Sequence, residues 1–401
     1  MSISVSSITN EKARNWITGR KKLLQNIQSS LQPDEKRIWI HCASLGEFEQ
    51  GRPVLDAIKQ QYPDYKIVLT FYSPSGYVIR QNYEKADYVF YLPLDTKKNA
   101  EKFISLVNPK LAIFVKYEFW HHFLNTLDKK NIPLLLISAI FREEQPFFKW
   151  YGGLFINMLN KFSHIFVQDK KSKQLLEKNG IKNVRIAPDT RFDRVRDIAA
   201  TSSTIDIVEK FLDHKHAIIA GSTWEEDEEI LIKFINNNPA LKYIIAPHEI
   251  DADHIEHIRS GIDRPAVLYS EAADPDIEVD VKVAEVLIID NIGMLSSLYR
   301  YAFISYVGGG FGDGIHNTLE PAVYGIPVVF GPHYHKFKEA VDLIQAGAAF
   351  SVHNYDELET LFYKLLNNRD VHSKASKEAH HYIEHHLGGT EIIMTHLDEY
   401  L

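Results

Sequence analysis

The chain has 401 residues, of which 45% are hydrophobic and 24% charged, and its formal net charge at pH 7 is −8. This length and composition predict two folded domains, and the negative charge argues against nucleic acid as a main partner. Cys42 is the single cysteine, so no intrachain disulfide is possible and a reducing compartment fits. No apolar run approaches the roughly 20 residues of a membrane-spanning helix.

Residues 1–36 are predicted to form a basic, amphipathic, membrane-proximal segment in which Trp16 lies among positive charges. Such a segment can lie on an anionic membrane surface. The same pattern is typical of a solvated helix that packs by one face, and the sequence leaves both alternatives open. The amino end, MSISVSSITN, lacks the basic start and apolar centre of a signal peptide. The basic side chains are Lys12, Arg14, Arg20, Lys21 and Lys22.

Residues 37–190 alternate β-prone runs with helix-period segments, which predicts a Rossmann-like domain built on a parallel sheet. The runs are continuously apolar, as expected of strands that are buried on both faces. Strands are predicted at 38–44, 66–72, 87–93, 111–117, 133–138 and 164–169. The charged stretch 191–203 is predicted to be the interdomain linker.

Residues 204–401 predict a second Rossmann-like domain, followed by helices from about Tyr355 that can cross back to the first domain. Small ligands often bind at domain interfaces, so a cleft between the two domains is the expected site. Strands are predicted at 216–222, 242–247, 284–290, 302–309 and 326–331.

The segment Val307–Pro332 is the most informative, because it predicts a strand, a glycine loop, a helix start and another strand in succession. His316-Asn317-Thr318 opens the predicted helix, whose first N–H groups could face a phosphate. Glu320, in the first turn, could accept hydrogen bonds from ribose hydroxyls. The alternative is a glycine-rich turn that merely joins a strand to a helix.

The spacing of this loop fits neither common nucleotide fingerprint. Asp313 and Ile315 stand where a dinucleotide motif needs glycine, and Gly314 is not followed by lysine as in a P-loop. The loop therefore favours a sugar nucleotide over hydride transfer or ATP hydrolysis.

Two glutamates and one arginine are candidates for catalysis. Glu47 lies in the S-x-G-E motif that begins at Ser44, where it could act as a general base or form a capping box. Glu118 follows the 111–117 strand, where it could face the same pocket or complement a helix dipole. Arg191 could meet an anionic ligand or form a surface or hinge ion pair.

Metal sites look unfavourable in this sequence. The histidines of the last helices have no carboxylate partners in a glycine-bounded pocket. No D-x-D element follows a strand of the second half to hold a metal-bound diphosphate. We therefore expect no metal.

Four motifs in this order and spacing resemble those of the 3-deoxy-D-manno-octulosonic acid (Kdo) transferases, a family of GT-B glycosyltransferases. The resemblance implies an α/β fold of two Rossmann-like domains whose parallel sheets face a cleft, with the acceptor on the first and the donor on the second. The motifs are S-x-G-E at 44–47, Y-E-F-W at 117–120, GSTWEEDE at 221–228, and the run at 316–339.

The resemblance also implies a reaction: inverting transfer of Kdo from CMP-Kdo to a lipid A precursor in lipopolysaccharide biosynthesis. It implies peripheral association with the cytoplasmic face of the bacterial inner membrane, and no cofactor beyond the donor substrate. Many members begin with an apolar anchor, and this sequence shows none.

The site residues that the resemblance implies fall in both domains. Glu47 matches the general base, Glu118 supports the transition state, and Arg191 stands where the family usually has lysine. His248 stands where it usually has arginine, which leaves the charge of that contact open. The CMP-binding residues would be Pro247, His248, Ile292, Gly293, Met294, Asn317, Thr318, Leu319 and Glu320.

Two other functions remain open at this point. One is a GT-B glycosyltransferase or epimerase that uses a UDP-sugar. The other is a non-catalytic module that binds a nucleotide or a lipid.

Overall fold

The computed structural model describes residues 11–239 and 241–401, which form two compact α/β units. Unit 1 comprises the chain up to Asp193 together with Leu387–Leu401, and unit 2 comprises Arg194–His386. Each unit contains a seven-stranded parallel sheet with helices around it. The α/β class and the GT-B type of fold predicted from the sequence are confirmed.

Unit 1 has the strand order β3-β2-β1-β4-β5-β6-β7. Its strands are β1 (Lys36–Cys42), β2 (Tyr65–Phe71), β3 (Tyr88–Tyr91), β4 (Leu111–Val115), β5 (Leu134–Ala139), β6 (His164–Val167) and β7 (Val184–Ile186). Its helices are α1 (Glu11–Thr18), α2 (Leu23–Ser30), α3 (Leu45–Gln61), α4 (Pro74–Arg80), α5 (Lys97–Val107), α6 (His121–Lys129), α7 (Gly153–Leu159), α8 (Lys170–Lys178) and the start of α9 (Arg191–Thr201). A short 3-10 helix spans Pro146–Phe148.

Unit 2 has the strand order β10-β11-β9-β8-β12-β13-β14. Its strands are β8 (Ala217–Thr223), β9 (Lys242–Pro247), β10 (Ala266–Leu268), β11 (Val286–Ile288), β12 (Ala302–Val307), β13 (Val328–Phe330) and β14 (Ala349–Ser351). Its helices are α10 (Asp206–Leu212), α11 (Glu225–Asn237), α12 (Ala252–Gly261), α13 (Tyr269–Ala273), α14 (Leu295–Leu298), α15 (Leu319–Ala322), α16 (Lys338–Ala346), α17 (Tyr355–Asn367) and α18 (Arg369–Glu384), with a 3-10 helix at Tyr299–Tyr301. The last helix, α19 (Gly389–Leu397), belongs to unit 1.

Every predicted strand overlaps an observed one, because parallel strands buried on both faces produce long apolar runs. The structure adds β7, β10 and β14, which have three residues each, as do the predicted strands β11 and β13. The stretch interpreted as a linker lies mostly in α9, where Phe192 and Val195 bury one face. The division between the units falls within this helix, after Asp193.

Helix α19 is held in unit 1 by the carboxylate of Asp193. This carboxylate accepts hydrogen bonds from the backbone N–H groups of Gly388 and Thr390, at 2.7 and 2.6 Å. The apolar face of α19, with Ile393 and Leu397, packs into the same core cluster as the buried face of α3.

The amino-terminal helices pack on unit 1 by one face. Leu23 and Ile27 are buried in its core. The guanidinium of Arg20 donates to the carbonyls of Trp16, Tyr72 and Leu92 and lies 4.3 Å from the Trp16 ring. Burial lowers the pKa of Arg20 to about 10. One-face packing is therefore observed for α1 and α2, while residues 1–10 of the predicted membrane-proximal segment lie outside the described residues.

Candidate active site

Glu47 lies in the first turn of α3, directly after the loop that leaves β1. The hydroxyl of Ser44 donates a hydrogen bond to the Glu47 carboxylate and makes no capping bond to the backbone. The capping-box alternative is therefore wrong. A Cβ atom on Gly51 would lie 2.9 Å from Val115, so glycine lets α3 approach β4 closely. This close packing fixes where Glu47 stands at the edge of the sheet where its strands end, which we call the carboxyl edge.

Glu118 lies in the loop between β4 and α6 and is 8% exposed. Its Oε2 atom accepts a hydrogen bond from Trp120 Nε1 at 2.5 Å and lies 3.1 Å from His41 Nε2. Because α6 begins only at His121, Glu118 is not in a first helical turn, and the helix-dipole alternative is wrong. Asp95 caps that helix instead, by accepting from the first N–H groups of α6.

A buried chain of hydrogen bonds orients the Glu118 carboxylate. Trp39 Nε1 donates to the hydroxyl of Thr70 at 2.8 Å, and that hydroxyl lies 2.9 Å from Nδ1 of the fully buried His41. Nδ1 also lies 3.1 Å from the Thr70 carbonyl oxygen, and Nε2 lies 3.1 Å from Trp120 Nε1, so both ring nitrogens of His41 have hydrogen-bonding partners. These contacts fix the ring that holds the carboxylate.

Cys42, at the end of β1, lies within electrostatic range of both carboxylates. Burial is the main cause that raises the pKa of its thiol well above the ordinary value, and the charges of Glu47 and Glu118 raise it further. The two glutamates therefore converge on one part of the sheet. The buried, neutral thiol fits the predicted role of a small core residue.

Arg191 forms an ion pair with Asp189, with its Nη2 atom 2.8 Å from Oδ2. Burial opposes ionisation of Asp189, yet the Arg191 guanidinium and its hydrogen bonds hold the Asp189 pKa below the ordinary value. Asp189 also accepts from Gln50 Nε2 at 2.9 Å. Because Gln50 lies one turn after Glu47 on α3, this ion pair braces the helix that carries Glu47.

The glycine loop of unit 2 is organised by Asp227, in the first turn of α11. Its carboxylate accepts from the N–H groups of Gly309 and Trp224 and from the hydroxyl of Tyr306, at 2.7 to 3.1 Å. Burial raises the pKa of Asp227, and these hydrogen bonds oppose the rise. A Cβ atom on Gly308 would lie 2.2 Å from the Ser222 carbonyl oxygen, so glycine here serves backbone packing as well as ligand approach.

The helix predicted after this loop is observed as α15. It has only four residues. Asn317 Oδ1 accepts from the N–H of Leu319 at 3.1 Å, so the side chain occupies part of the helix start. A helix of one turn has little dipole. The expected N-terminal phosphate cradle is therefore weaker than predicted.

Glu320 and Arg194 lie close together in unit 2. Burial raises the pKa of Glu320, while the Asn317 amide, which donates to Oε1 at 3.1 Å, and the Arg194 charge oppose the rise. Arg194 was not among the residues predicted from the sequence. Its spacing of three from Arg191 on one helix was the available signal.

Three rings gather where β8, β9 and β12 end. The ring centroids of Trp224 and His248 lie 4.5 Å apart, as do those of His248 and His316. Trp224 Nε1 donates to His316 Nε2 at 3.0 Å. Burial, aided by His248, lowers the pKa of His316 to about 4, so this imidazole is neutral at neutral pH.

The remaining predicted segment follows β11. Ile292 is 86% exposed, and Gly293 has φ of +99° with open space beside it. Gly293 and Met294 help to line a groove of about 700 Å³, together with Tyr269 and residues 203–207.

Comparison with known proteins places this geometry in a family. Residues 18–194 match the family model described as 3-deoxy-D-manno-octulosonic-acid transferase (kdotransferase). The 3-deoxy-D-manno-octulosonic acid transferase of Rickettsia felis is 29% identical over 376 residues, which is 91% of this chain and 78% of that protein. Along most of its length the chain is therefore similar to Kdo transferases. It is a glycosyltransferase.

A second member of the Kdo transferase family shows the same extent of similarity. The enzyme of that name from Aquifex aeolicus is 28% identical over 355 residues, covering 85% of this chain and 89% of its own length. Among solved structures, the UDP-GlcNAc 2-epimerase of Neisseria meningitidis bound to UDP-GlcNAc matches with a TM-score of 0.60 at 15% identity, over 90% of this chain and 100% of that one. This last likeness shows the fold alone.

The predicted site residues fall into two groups. Glu47, Glu118 and Arg191 belong to unit 1, and the predicted CMP-binding residues belong to unit 2. Pro247 is the last residue of β9 and is buried, as are Thr318 and Leu319, so these side chains cannot contact a ligand without rearrangement. The other predicted CMP-binding residues follow β9, β11 and β12, at the carboxyl edge of the second sheet.

The sequence interpretation missed three further residues of the candidate site. They are His41, which holds Glu118, Asp227, which holds the glycine loop, and Trp224, which stacks on His248. His41 was hidden inside an apolar strand, and Asp227 inside an acidic run. Trp224 lies within a motif already noted, and only its ring contacts were lacking.

Two features are absent from the described residues: a membrane-spanning helix and a cluster of metal ligands. No helix in this part of the chain is long and apolar enough to cross a bilayer. Within residues 11–239 and 241–401, no group of three or more histidine, cysteine, aspartate or glutamate side chains is placed as metal ligands would be.

Proposed function

We propose that this chain transfers Kdo from CMP-Kdo to a lipid A precursor in lipopolysaccharide biosynthesis. The similarity to Kdo transferases along most of the chain supports Kdo transfer. The observation that carries the proposed chemistry is the pair of carboxylates, Glu47 and Glu118, at the carboxyl edge of unit 1, each oriented by a side-chain donor.

In the proposed mechanism, Glu47 takes the proton of a sugar hydroxyl on the acceptor. The freed oxygen attacks the anomeric carbon of Kdo on the face opposite the leaving group, and the bond from that carbon to the CMP phosphate breaks. The bonding electrons leave with CMP. Because the attack comes from the opposite face, the configuration at the anomeric carbon inverts. Glu118, held by His41 and Trp120, stabilises the positive charge that develops on the sugar.

The donor nucleotide is assigned to the carboxyl edge of unit 2. His248, residues 292–294 and the Asn317–Glu320 segment would contact CMP, with the Glu320 carboxylate accepting from ribose hydroxyls. His316, neutral at neutral pH, supplies no charge to the phosphate. That charge would come from Arg191, Lys336 or Lys338, of which Arg191 pairs with Asp189 and Lys338 pairs with Asp342.

We also propose that the enzyme acts at the cytoplasmic face of the bacterial inner membrane and needs no metal. A lipid acceptor requires contact with the membrane. The departure of a nucleoside monophosphate makes a metal-bound diphosphate unnecessary.

The direct test is incubation with CMP-Kdo and a tetraacylated lipid A precursor, followed by mass spectrometry of the lipid. We expect mass increments of one or more Kdo units that are absent when CMP-Kdo is omitted. A folded protein that gives no increment would refute Kdo transfer to this acceptor.

Nucleotide preference separates the remaining alternatives. We expect CMP to raise the thermal stability of the protein more than UDP, since a ligand at 100 times its Kd stabilises by about 2.7 kcal/mol. Preferential stabilisation by UDP would favour an enzyme that uses a UDP-sugar. Stabilisation by CMP without transfer to any lipid acceptor would favour a non-catalytic binding module.

A further inference from the structure

The segment 146–155, between β5 and the middle of α7, presents large apolar side chains to solvent. Trp150 is 96% exposed, which makes it the most exposed large apolar side chain in the described chain. Tyr151 and Leu154 are 56% and 60% exposed. Three large apolar side chains within five residues are unusual on a surface unless something covers them.

This segment packs on a cluster of phenylalanine rings, Phe119, Phe147 and Phe155, which we call the aromatic base. Phe147 lies 4.7 Å from Phe119 and 5.6 Å from Phe155, between ring centroids. A Cβ atom on Gly152 would lie 2.4 Å from the Phe147 carbonyl oxygen, so glycine permits a tight turn there. The buried base and the tight turn hold Trp150 outward.

Two stretches near this edge, residues 12–33 and 145–168, contain no aspartate or glutamate, in a chain whose net charge is −8. Two exposed acids, Glu143 and Glu144, directly precede the second stretch. In the first stretch, the exposed basic residues are Lys12, Arg14, Lys21 and Lys22. In the second, Lys149 is exposed beside Trp150.

Two groups of ring contacts, connected through the neighbouring residues Phe119 and Trp120, lie between the two stretches in unit 1. Trp16 lies 5.9 Å from Tyr72, and Tyr72 lies 4.7 Å from Trp120. Trp120 follows Phe119, which contacts the aromatic base of the 146–155 segment. Glu118 belongs to the same loop, so both basic stretches flank the edge that carries the carboxylates.

We propose that this edge docks on an anionic lipid bilayer, with Trp150, Tyr151 and Leu154 inserted at the interface. Tryptophan and tyrosine favour the boundary between headgroups and acyl chains, because each has an apolar body and a polar tip. The lysines and Arg14 then contact anionic headgroups. A protein partner would not require two separate stretches free of acids.

Docking rests on the proposed function, because a lipid acceptor is what brings the enzyme to a membrane. The element that meets the membrane is then residues 146–155 instead of the amino-terminal segment. Trp16 and Arg20 of the predicted membrane-proximal segment are engaged with unit 1, so the inserted side chains are those of 146–155. A docked edge would present Glu47 and Glu118 to sugars at the bilayer surface.

The test is co-sedimentation with vesicles of phosphatidylethanolamine and phosphatidylglycerol, without any substrate. We expect Trp150→Ser/Leu154→Ser to weaken binding about tenfold or more, because two apolar side chains no longer leave water. The matched control is Ile277→Ser/Val283→Ser, which removes exposed apolar side chains from unit 2 and should bind like wild type. Circular dichroism verifies that both variants fold.

A second measurement reports on insertion itself. Lipids with brominated acyl chains should quench part of the tryptophan fluorescence of the wild type, and Trp150→Phe should abolish that part. Raising the salt concentration, or replacing phosphatidylglycerol with phosphatidylcholine, should weaken binding.

Two results would overturn the proposal. Equal vesicle binding by wild type and Trp150→Ser/Leu154→Ser would exclude insertion of this segment. A change of oligomeric state in that variant, with vesicle binding unchanged, would make the patch a contact between copies of the chain. Because binding is measured without substrate, its failure is distinguishable from failure of Kdo transfer.

Discussion

The carboxyl edges of the two sheets share a parallel topology and differ in chemistry. In unit 1 the edge presents carboxylates, which buried donors such as His41 hold in place. In unit 2 it presents a glycine loop, tied down by Asp227, beside a stack of rings. The first arrangement suits proton removal, and the second suits recognition of a nucleotide. The same strand-end geometry therefore serves different tasks according to the groups that follow the strands.

Both edges also contain a non-glycine residue in the left-handed region. Lys116 has φ of 71°, two residues before Glu118, and Ser222 has φ of 55°, two residues before Trp224. Such conformations cost about 1–3 kcal/mol each and persist only where the surroundings enforce them. Lys116 directly follows β4, and Ser222 lies at the register irregularity near the end of β8.

The largest expected effect follows Glu47→Gln. We expect turnover to fall about 10²- to 10⁴-fold, because the general base is lost, while stabilisation by CMP stays at the wild-type level. The measurements are Kdo transfer and thermal shift with CMP. Glu49→Gln, on the same helix, is the matched control and should retain turnover. A folded Glu47→Gln enzyme with near wild-type turnover would assign the base elsewhere.

Asp227→Asn is expected to lower the free energy of unfolding of unit 2 by about 2–4 kcal/mol, because a buried acceptor of three hydrogen bonds is replaced by a group that also donates. Urea unfolding followed by Trp224 fluorescence reports on unit 2, since the other four tryptophans lie in unit 1. Glu226→Gln, at an exposed position of the same helix, should change little. An unchanged Asp227→Asn midpoint would mean that the loop does not depend on this carboxylate.

His41→Gln tests whether His41 positions Glu118. We expect turnover to fall, and the effects of His41→Gln and Glu118→Gln to be non-additive by about 0.5–3 kcal/mol, because the two side chains share a hydrogen bond. A double-mutant cycle on turnover measures this coupling. A purely structural His41 would lower stability and leave the two effects on turnover additive.

The smallest effect concerns the pH dependence of unit 2. The pKa of His316 is lowered from 6.5 to about 4 in the folded protein. As pH falls from 6.5 toward 4, the unfolded chain binds a proton that the folded chain does not, so stability decreases across this window. His316→Gln should reduce the dependence of stability on pH. Urea unfolding of unit 2, followed by Trp224 fluorescence at several pH values, measures this dependence. His248, which contacts His316, remains in both proteins. An identical dependence in both would exclude His316 as its source.

Much of the fold was predictable because its signals are local. The apolar runs of β1, β4 and β9 are long enough to mark buried parallel strands. β7, β10 and β14 escaped prediction, although β11 and β13, which were predicted, are equally short. Helix α15 was predicted without a length, and the structure ends it at Ala322, shortly before Gly325 takes a φ of 68°.

The sequence by itself determined the fold class, the family resemblance and the identity of the carboxylates, because each depends on residue type and order along the chain. Tertiary structure alone decided the partners of those residues. Ser44 bonds the Glu47 carboxylate instead of the backbone, and His41 reaches Glu118 across 77 positions of sequence. It also decided that Trp16 packs on unit 1 while Trp150 points outward. The physical reason is that burial and hydrogen bonding depend on which strands lie side by side, a property that no local pattern contains.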